Sequence, residues 1–543
     1  GVALDTDLEP VADDRQRIVS RARLELPQDG AALAHYLPET WQRYAHGATN
    51  IDVAFEVARD GGLSDITLDS DLQGMALELP DPLTKAADDT APLALTIAGD
   101  TSRVDVDYDD RVDLAVRLND GKPTRVQAVF NDDSLEPPDV DGIWIGGQTQ
   151  SADGLGWFTV VRDQVQGAAR DDDSTGASPL AFTGGDLRIG ELNLDDRYFE
   201  NTHLRAQTMS ARPGWRIDFE GPNTQGQVTW TQPAGGNINI AGNLARLALK
   251  TREQDPPVPA DNGETVIWKD VNPVDLPHLD IFVGKVLVDA TDFGEAELNA
   301  TALPDGWRLD RFQLRDGALA GWATGRWLQD GGTTQASAQT RFEGHGLSGL
   351  LRSLGYASTV RADTARVHAR LDIAPNPAGL DLRALDGSVE LALDDGTFTA
   401  VEPGAARVLG LVNLYVLPRR LRLDFRDVVD EGLAFDKVRA DFDIRNGDAY
   451  SDNVRIETPS SKIQMSGRIG LAARDYDERV TITPKVGSGV TIASTVLGGP
   501  LVGAAVFAMQ ELLKKPIQKF SSIAYTLKGS WDDPRIEEPS TEE

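Results

Sequence analysis

From residue 50 onward, apolar residues recur at every second position in one short run after another, and few segments are available to cover them. Ile51, Val53, Phe55 and Val57 alternate with small or polar residues. So do Ile66 and Leu68; Leu93, Leu95 and Ile97; Val104, Val106 and Tyr108; and Val112, Leu114 and Val116. Later, Val438, Ala440, Phe442 and Ile444 alternate with Arg439, Asp441, Asp443 and Arg445, and Asn446-Gly447 follows as a hairpin turn. Val454 and Ile456, Ile463 and Met465, Ile469 and Leu471, and Val480 and Ile482 continue the pattern. Period two, punctuated by Gly, Asp and Pro, predicts antiparallel strands with one apolar and one charged face. A sheet of this kind closes on itself, stacks on another sheet, or curls around an apolar ligand.

The chain divides by composition and repetition. Residues 1–30 form a polar lead with one strand at 22–26, the remainder of an upstream unit. Residues 31–175 hold a helix at about 31–45, with Leu33, Tyr36, Leu37, Trp41 and Tyr44 at helical spacing, and then a β unit closed by the charged loop 171–176. A repeat follows. GWRID ends one unit (176–252) and GWRLD recurs in the next (274–400), with Trp215 and Trp307 in equivalent places and similar alternating strands before each. Such repetition favours a body built by stacking like units. Pro256, Pro257, Pro259 and Pro273 mark 253–273 as the linker. The second repeat unit carries a short helix at 347–354, and 401–543 is a C-terminal module.

That module contains two stretches unlike the rest. Residues 408–417 are uncharged and apolar around the whole helical circumference, and Pro418, Arg419, Arg420 and Arg422 follow. Residues 486–510 also lack charge, are broken by Gly498-Gly499-Pro500, and precede Lys514, Lys515 and Lys519. All-round apolar helices are buried or meet lipid. Basic ends in an acidic chain suit helices lying on anionic lipid. The alternative is that both cap the open end of the sheet. The candidate membrane-contact residues are Val408, Leu409, Leu411, Val412, Leu414, Tyr415 and Leu417, then Leu497, Leu501, Val502, Val506 and Phe507.

Charge and composition exclude several functions. With 53 basic and 86 acidic residues the formal net charge is -33, which argues against nucleic acid as a partner, since phosphate binding needs clustered Lys and Arg. The absence of cysteine removes disulfides, thiolate catalysis and Cys-based metal sites. GHGLSG at 344–349 fits a dinucleotide pattern, but its helix is too short for a βαβ crossover. DSDLQG at 69–74 opens like a calcium loop, yet the twelfth position is Pro80, where a carboxylate is required. The six histidines lack metal-chelating spacing. We read no catalytic residues, no metal and no cofactor. The chain opens at Gly1 without Met or a signal peptide, and is read as a fragment whose upstream part, any anchor included, is missing.

Several motifs resemble YhdP-type proteins of the AsmA-like superfamily. They are PGAARVLGLVNLYVLPRRLRLDFRD (403–427), GLAFDKV (432–438), ARDYDERVTITPKV (473–486), GGPLVGAA (498–505) and YTLKGSWDDPRI (525–536). SDLQGMALELPDPLTK (70–85) and LSGLLRSLGY (347–356) also have counterparts in that group. The resemblance implies a mainly β fold: a long twisted antiparallel sheet curled into an apolar groove, with a few short helices. It also implies a periplasmic protein of the Gram-negative envelope, held in the inner membrane by an N-terminal helix and reaching the outer membrane. Phospholipid would be the cargo, and envelope protein partners remain open. This chain would be the distal, C-terminal half, with its apolar helices at the outer membrane.

The mechanism implied is physical: each CH₂ taken from water is worth about 0.8 kcal/mol, so an apolar trough lets acyl chains cross an aqueous gap. Candidate lining residues are Leu187, Ile189, Val389, Leu391, Leu393, Phe398, Phe442, Ile444, Val454, Ile456, Ile463, Met465, Val480 and Ile482; each is otherwise an ordinary core residue. A non-transporting β-rod that scaffolds the envelope is the competing reading. A carbohydrate-binding β-protein ranks last, because Trp215, Trp307, Trp322 and Trp327 sit among the strand repeats.

Overall fold

A computed structural model describes residues 5–11, 15–26, 44–58, 64–160, 181–251, 266–267, 271–353, 360–398, 433–485, 522–531 and 534–537, apart from residues 133, 158, 195–196, 210–213, 234–235, 377–379 and 460. The chain forms two compact units, Gly1–Glu253 and Gln254–Glu543. Both are built almost wholly of strands.

In the first unit, Asp5–Val11 pairs with Arg15–Leu26, which pairs with Ala45–Ala58, all antiparallel. The lead therefore holds two strands where one was expected. The helix expected at 31–45 lies outside the described residues, except that Ala45 opens a strand. Ala45–Ala58 then forks: its first residues pair with Met75–Leu77 and its middle with Ile66–Ser70. From Ile66–Ser70 an antiparallel meander runs through Leu93–Ile97, Arg103–Tyr108, Val112–Asn119 and Lys122–Phe130. One segment departs from the expected antiparallel pattern. Gly142–Asp153 lies parallel to both Lys122–Phe130 and Phe182–Leu194, which requires crossover connections on either side. Antiparallel pairing resumes through Arg197–Thr208, Gly214–Glu220, Thr224–Thr231 and Asn239–Thr251.

The second unit is a plain meander. From His278–Val288 to Pro534–Glu537, each long strand pairs antiparallel with the next long strand in sequence. Turn chemistry sets its register. Gly331-Gly332 and Asn446-Gly447 both have positive φ at their two positions (54° and 86°; 50° and 76°), which suits the right-handed twist of the flanking strands. The expected short helix is present as Leu347–Ser353.

The motif at 70–85 is a structural lock. Lys85 is only 6% exposed, and its Nζ donates to the carbonyls of Leu72 (2.8 Å), Met75 (2.8 Å) and Ala86 (3.0 Å). Leu72 and Met75 pack with Leu26, Ala91 and Tyr108. A loop that must bury its own carbonyls needs an internal donor, and Lys85 supplies it.

The Trp repeat also has a structural basis. Gly214–Glu220 and Gly306–Arg315 each begin at a glycine whose φ is positive (156° and 152°). A Cβ there would stand 2.3 Å from the Trp230 carbonyl oxygen or 2.2 Å from that of Trp327. In each repeat the first Trp then faces a second across the strand pair, Trp215 with Trp230 and Trp307 with Trp327.

Candidate functional site

Register places apolar side chains in rows across many strands. In the first unit one row runs Leu93, Tyr108, Val112, Phe130, Gly147, Leu187, Leu204, Phe219, Gly226, Leu244. Only two glycines interrupt it. At about 4.8 Å between neighbouring strands, such a row measures roughly 40 Å along the sheet. In the second unit a row runs Ala365, Leu393, Val438, Ile456, Ile463, Ile482. A parallel row holds Val454, Met465, Val480 and Tyr525, and another Leu371, Gly387, Ile444, Ala449, Ile469 and Tyr476.

The opposite face of the second unit is charged. Arg366 pairs with Glu343 (3.8 Å) and Asp394 (2.6 Å), His368 with Glu390 (3.6 Å), and Arg439 with Asp394 (2.5 Å). These exposed pairs each add little stability. Their effect is to keep that face in water and leave the other to exclude it.

The candidate lining residues fall in two groups, one on each unit. Leu187 and Ile189 belong to the first unit and the other twelve to the second. Ile189 stands opposite Thr149 and Thr202, and borders a cleft of about 870 Å³ whose walls include Asp81, Arg111, Gln148, Arg188 and His203. Its surroundings are thus mixed rather than apolar. Leu187 sits in the long apolar row between Gly147 and Leu204, half-buried.

In the second unit the face is closed at its margins and less so between them. Leu347, on the short helix, packs against the cluster of Ala362, Leu393, Phe435 and Val438. Leu382, on a 3₁₀ turn, packs against Leu385, Ile444 and Ala449. Between these lie Val389, Leu391 and Phe442, all half-buried. Ile463, Val480, Ile482, Leu433 and Leu527 form a further buried cluster, with Phe398, Ile456 and Met465 packed against it. Val454 is buried alongside.

Two features of this face escape simple alternation. Leu393 and Phe398 are five residues apart and would face opposite ways in an unbroken strand, yet they share one cluster. Between them Asp395 adopts φ +49°, which breaks the alternation and returns the strand's apolar residues to the same side. Phe435 and Val438 make the matching shift on the neighbouring strand. The second feature is Glu478. It shares a parity with Tyr476, Val480 and Ile482, is 1% exposed, and stands in register between Gly467 and Leu527. Burial, and secondarily the charge of Asp477, push its carboxyl up to about 7. The spacing Tyr476, Glu478, Val480, Ile482 was the signal that would have found it.

The candidate membrane-contact residues, from Val408 to Leu417 and from Leu497 to Phe507, all lie outside the described residues. Among the described residues no helix is long and apolar enough to cross a membrane.

Fold and site together define a class: a strand-built protein whose sheets present one broad apolar face and one charged face. A model of the YhdP protein family matches residues 2–536, and the chain belongs to that family. It is similar to the intermembrane phospholipid transporter YhdP of Escherichia coli (strain K12), with 25% identity over 503 residues. The match covers 91% of this chain and 38% of that relative, so the chain spans well under half the relative's length. No solved structure matches.

Proposed function

We propose that this chain is part of a lipid-transfer bridge, holding phospholipid acyl chains against its apolar face as they pass between the inner and outer membranes of a Gram-negative envelope. The observation that carries this is the row of apolar side chains running unbroken, but for two glycines, from Leu93 to Leu244. Family membership and the activity named for the Escherichia coli relative support it. In this reading the fourteen candidates named above form the groove, with the half-buried Leu187, Val389, Leu391, Phe398, Phe442, Ile456 and Met465 at its surface and the buried ones beneath them. In this account the chain works in the periplasm. An N-terminal anchor outside this chain holds the inner membrane, and the apolar C-terminal segments approach the outer one. Acyl chains slide along the trough while headgroups stay wet, because the gain per buried CH₂, about 0.8 kcal/mol, is nearly the same at each step along the face.

A non-transporting scaffold is the second reading. It is favoured locally by the near-complete burial of Ile463 (2%) and Ile482 (3%), which are core residues rather than exposed lining. The test is mass spectrometry of lipids that co-purify with the chain, beside a Leu391→Asp, Ile444→Asp variant. Phospholipid on the parent and none on the folded variant is the expected result. A folded parent that stays free of lipid after incubation with vesicles overturns the proposal in favour of the scaffold.

A further inference from the structure

The cleft of about 870 Å³ in the first unit lies where the sheet is interrupted. Gly142–Asp153 pairs with Lys122–Phe130 only as far as Gly147 opposite Phe130. Beyond Gly147, no strand pairs with that edge among the described residues. One end of the gap is closed by Asn131 and Gln148, whose side-chain amides donate to each other's backbone carbonyls (3.2 and 2.9 Å). The other end is closed by the Asp81 carbonyl, which accepts from the Asp153 N–H at 3.1 Å. Two further cleft residues disturb the neighbouring strands: Gly190 brings no side chain, and Asn201 has φ +49°.

Four ionisable side chains border the cleft: Asp81, Arg111, Arg188 and His203. Asp81 accepts from the Ser151 hydroxyl, Arg111 pairs with Asp109 (2.8 Å), and His203 with Asp186 (2.6 Å). Arg188 differs. It is exposed, stands in register between Gln148 and His203, and has no ion pair or hydrogen bond among the described residues. In a chain of formal net charge -33, carboxylates are in excess, yet none is placed against this guanidinium. The exposed Asn201 amide is likewise without a partner among the described residues. Thr202, 2% exposed, borders the same cleft with a hydroxyl that nothing bonds. Glu478, the other unpartnered group discussed above, lies instead in the core, between Gly467 and Leu527.

The cleft adjoins the long apolar row. Two residues along from Gly147, Leu187 and Leu204, and on the same parity, stand Thr149, Ile189 and Thr202, all of which border it. At about 3.4 Å per residue the row passes within roughly 7 Å of the cleft. Leu187 and Leu204 are half-buried and so open to contact. A free guanidinium and a free amide beside an accessible apolar row suit a ligand with a phosphate at one end and hydrocarbon at the other. The planar fork of Arg matches two phosphate oxygens, and the volume is that of a small-ligand pocket.

We infer that this cleft binds the phosphate of a phospholipid headgroup through Arg188 and Asn201, while the acyl chains lie along the row at Leu187 and Leu204. The inference rests on the lipid-carrying reading proposed above and adds to it a place where the headgroup is held. Because Arg188 and Asn201 are exposed, the bound headgroup stays in contact with water.

The test uses calorimetric titration of the 543-residue chain with three probes. Dihexanoylphosphatidylcholine, below its micelle concentration, carries both phosphate and chains and has no net charge. Dihexanoylglycerol carries the chains alone, and glycerol 3-phosphate the phosphate alone. Wild-type protein is expected to bind the phospholipid about tenfold more tightly than either of the others. Arg188→Gln, and Asn201→Asp on the neighbouring strand, should each weaken the phospholipid about tenfold and leave dihexanoylglycerol unchanged. Equal affinity for phospholipid and dihexanoylglycerol, or phospholipid binding unchanged in either variant, overturns the headgroup site and leaves the lipid-carrying reading intact. Glycerol 3-phosphate bound as tightly as the phospholipid overturns the lipid assignment in favour of a soluble phosphate ester. Folded wild-type protein that binds neither dihexanoyl compound overturns the lipid-carrying reading itself.

Discussion

Glu478 makes a prediction that needs no lipid. Its carboxyl is raised from an ordinary value of 4.5 to about 7 by burial, with a smaller contribution from Asp477. One unit of difference between folded and unfolded values corresponds to about 1.4 kcal/mol, so the ionised group costs the fold on the order of 3 kcal/mol at alkaline pH. The sign follows from which state ionises first. Below about pH 4 both states carry the proton and the cost is absent. As pH rises through 4.5 the unfolded chain ionises while the folded one does not, and stability falls until pH passes about 7.

In Glu478→Gln that slope disappears. Gln leaves an amide without partners at the same place, so the pH-dependent part of the difference carries the test and the constant offset does not. Hydrogen exchange of peptides spanning 461–484, compared between variant and wild type at each pH, reads the local opening free energy. Relative protection of the variant should grow between about pH 5 and pH 7 by up to about 3 kcal/mol and then level off. A difference that stays flat with pH, or that shrinks as pH rises, would refute the assignment of a buried, unbalanced carboxyl.

Other positions give independent predictions. Lys85→Met removes the donor from three carbonyls, those of Leu72 and Met75 buried, and should destabilise the first unit by about 3 kcal/mol and open residues 71–92 to proteolysis. Gly306→Ala places a methyl about where only 2.2 Å separates it from the Trp327 carbonyl oxygen; thermal unfolding should show a loss well beyond the roughly 1 kcal/mol typical of a surface change. Ile463→Val, in the buried cluster, should cost about 1 kcal/mol with lipid binding kept. Arg366→Ala, on the charged face, should change stability by less than about 1 kcal/mol and leave lipid binding untouched.

Much of the fold was legible because period-two alternation and turn chemistry act locally. The strands from Leu433 to Pro484, the Asn446-Gly447 turn and the short helix at Leu347–Ser353 all follow from neighbours in sequence. What alternation cannot give is long-range pairing. The parallel placement of Gly142–Asp153 depends on connections that carry no periodic signal. The left-handed Asp395 was likewise invisible, although it is what returns Phe398 to the side of Leu393. Lys85 lay inside a recognised motif, yet its burial depends on the carbonyls that the loop turns inward. The facing of Trp215 with Trp230 and of Trp307 with Trp327 is a cross-strand pairing that carries no signal within GWRID or GWRLD.

The central claim is that one parity of each strand meets lipid and the other meets water. Photo-crosslinking residues placed one at a time at Val389, Phe442 and Met465, and at their outward neighbours Glu390, Asp441 and Gln464, test it directly in cells. Phospholipid adducts at the three inward positions and none at the outward three are the predicted result. Adducts at both parities, or at neither while the protein remains folded, would contradict the account.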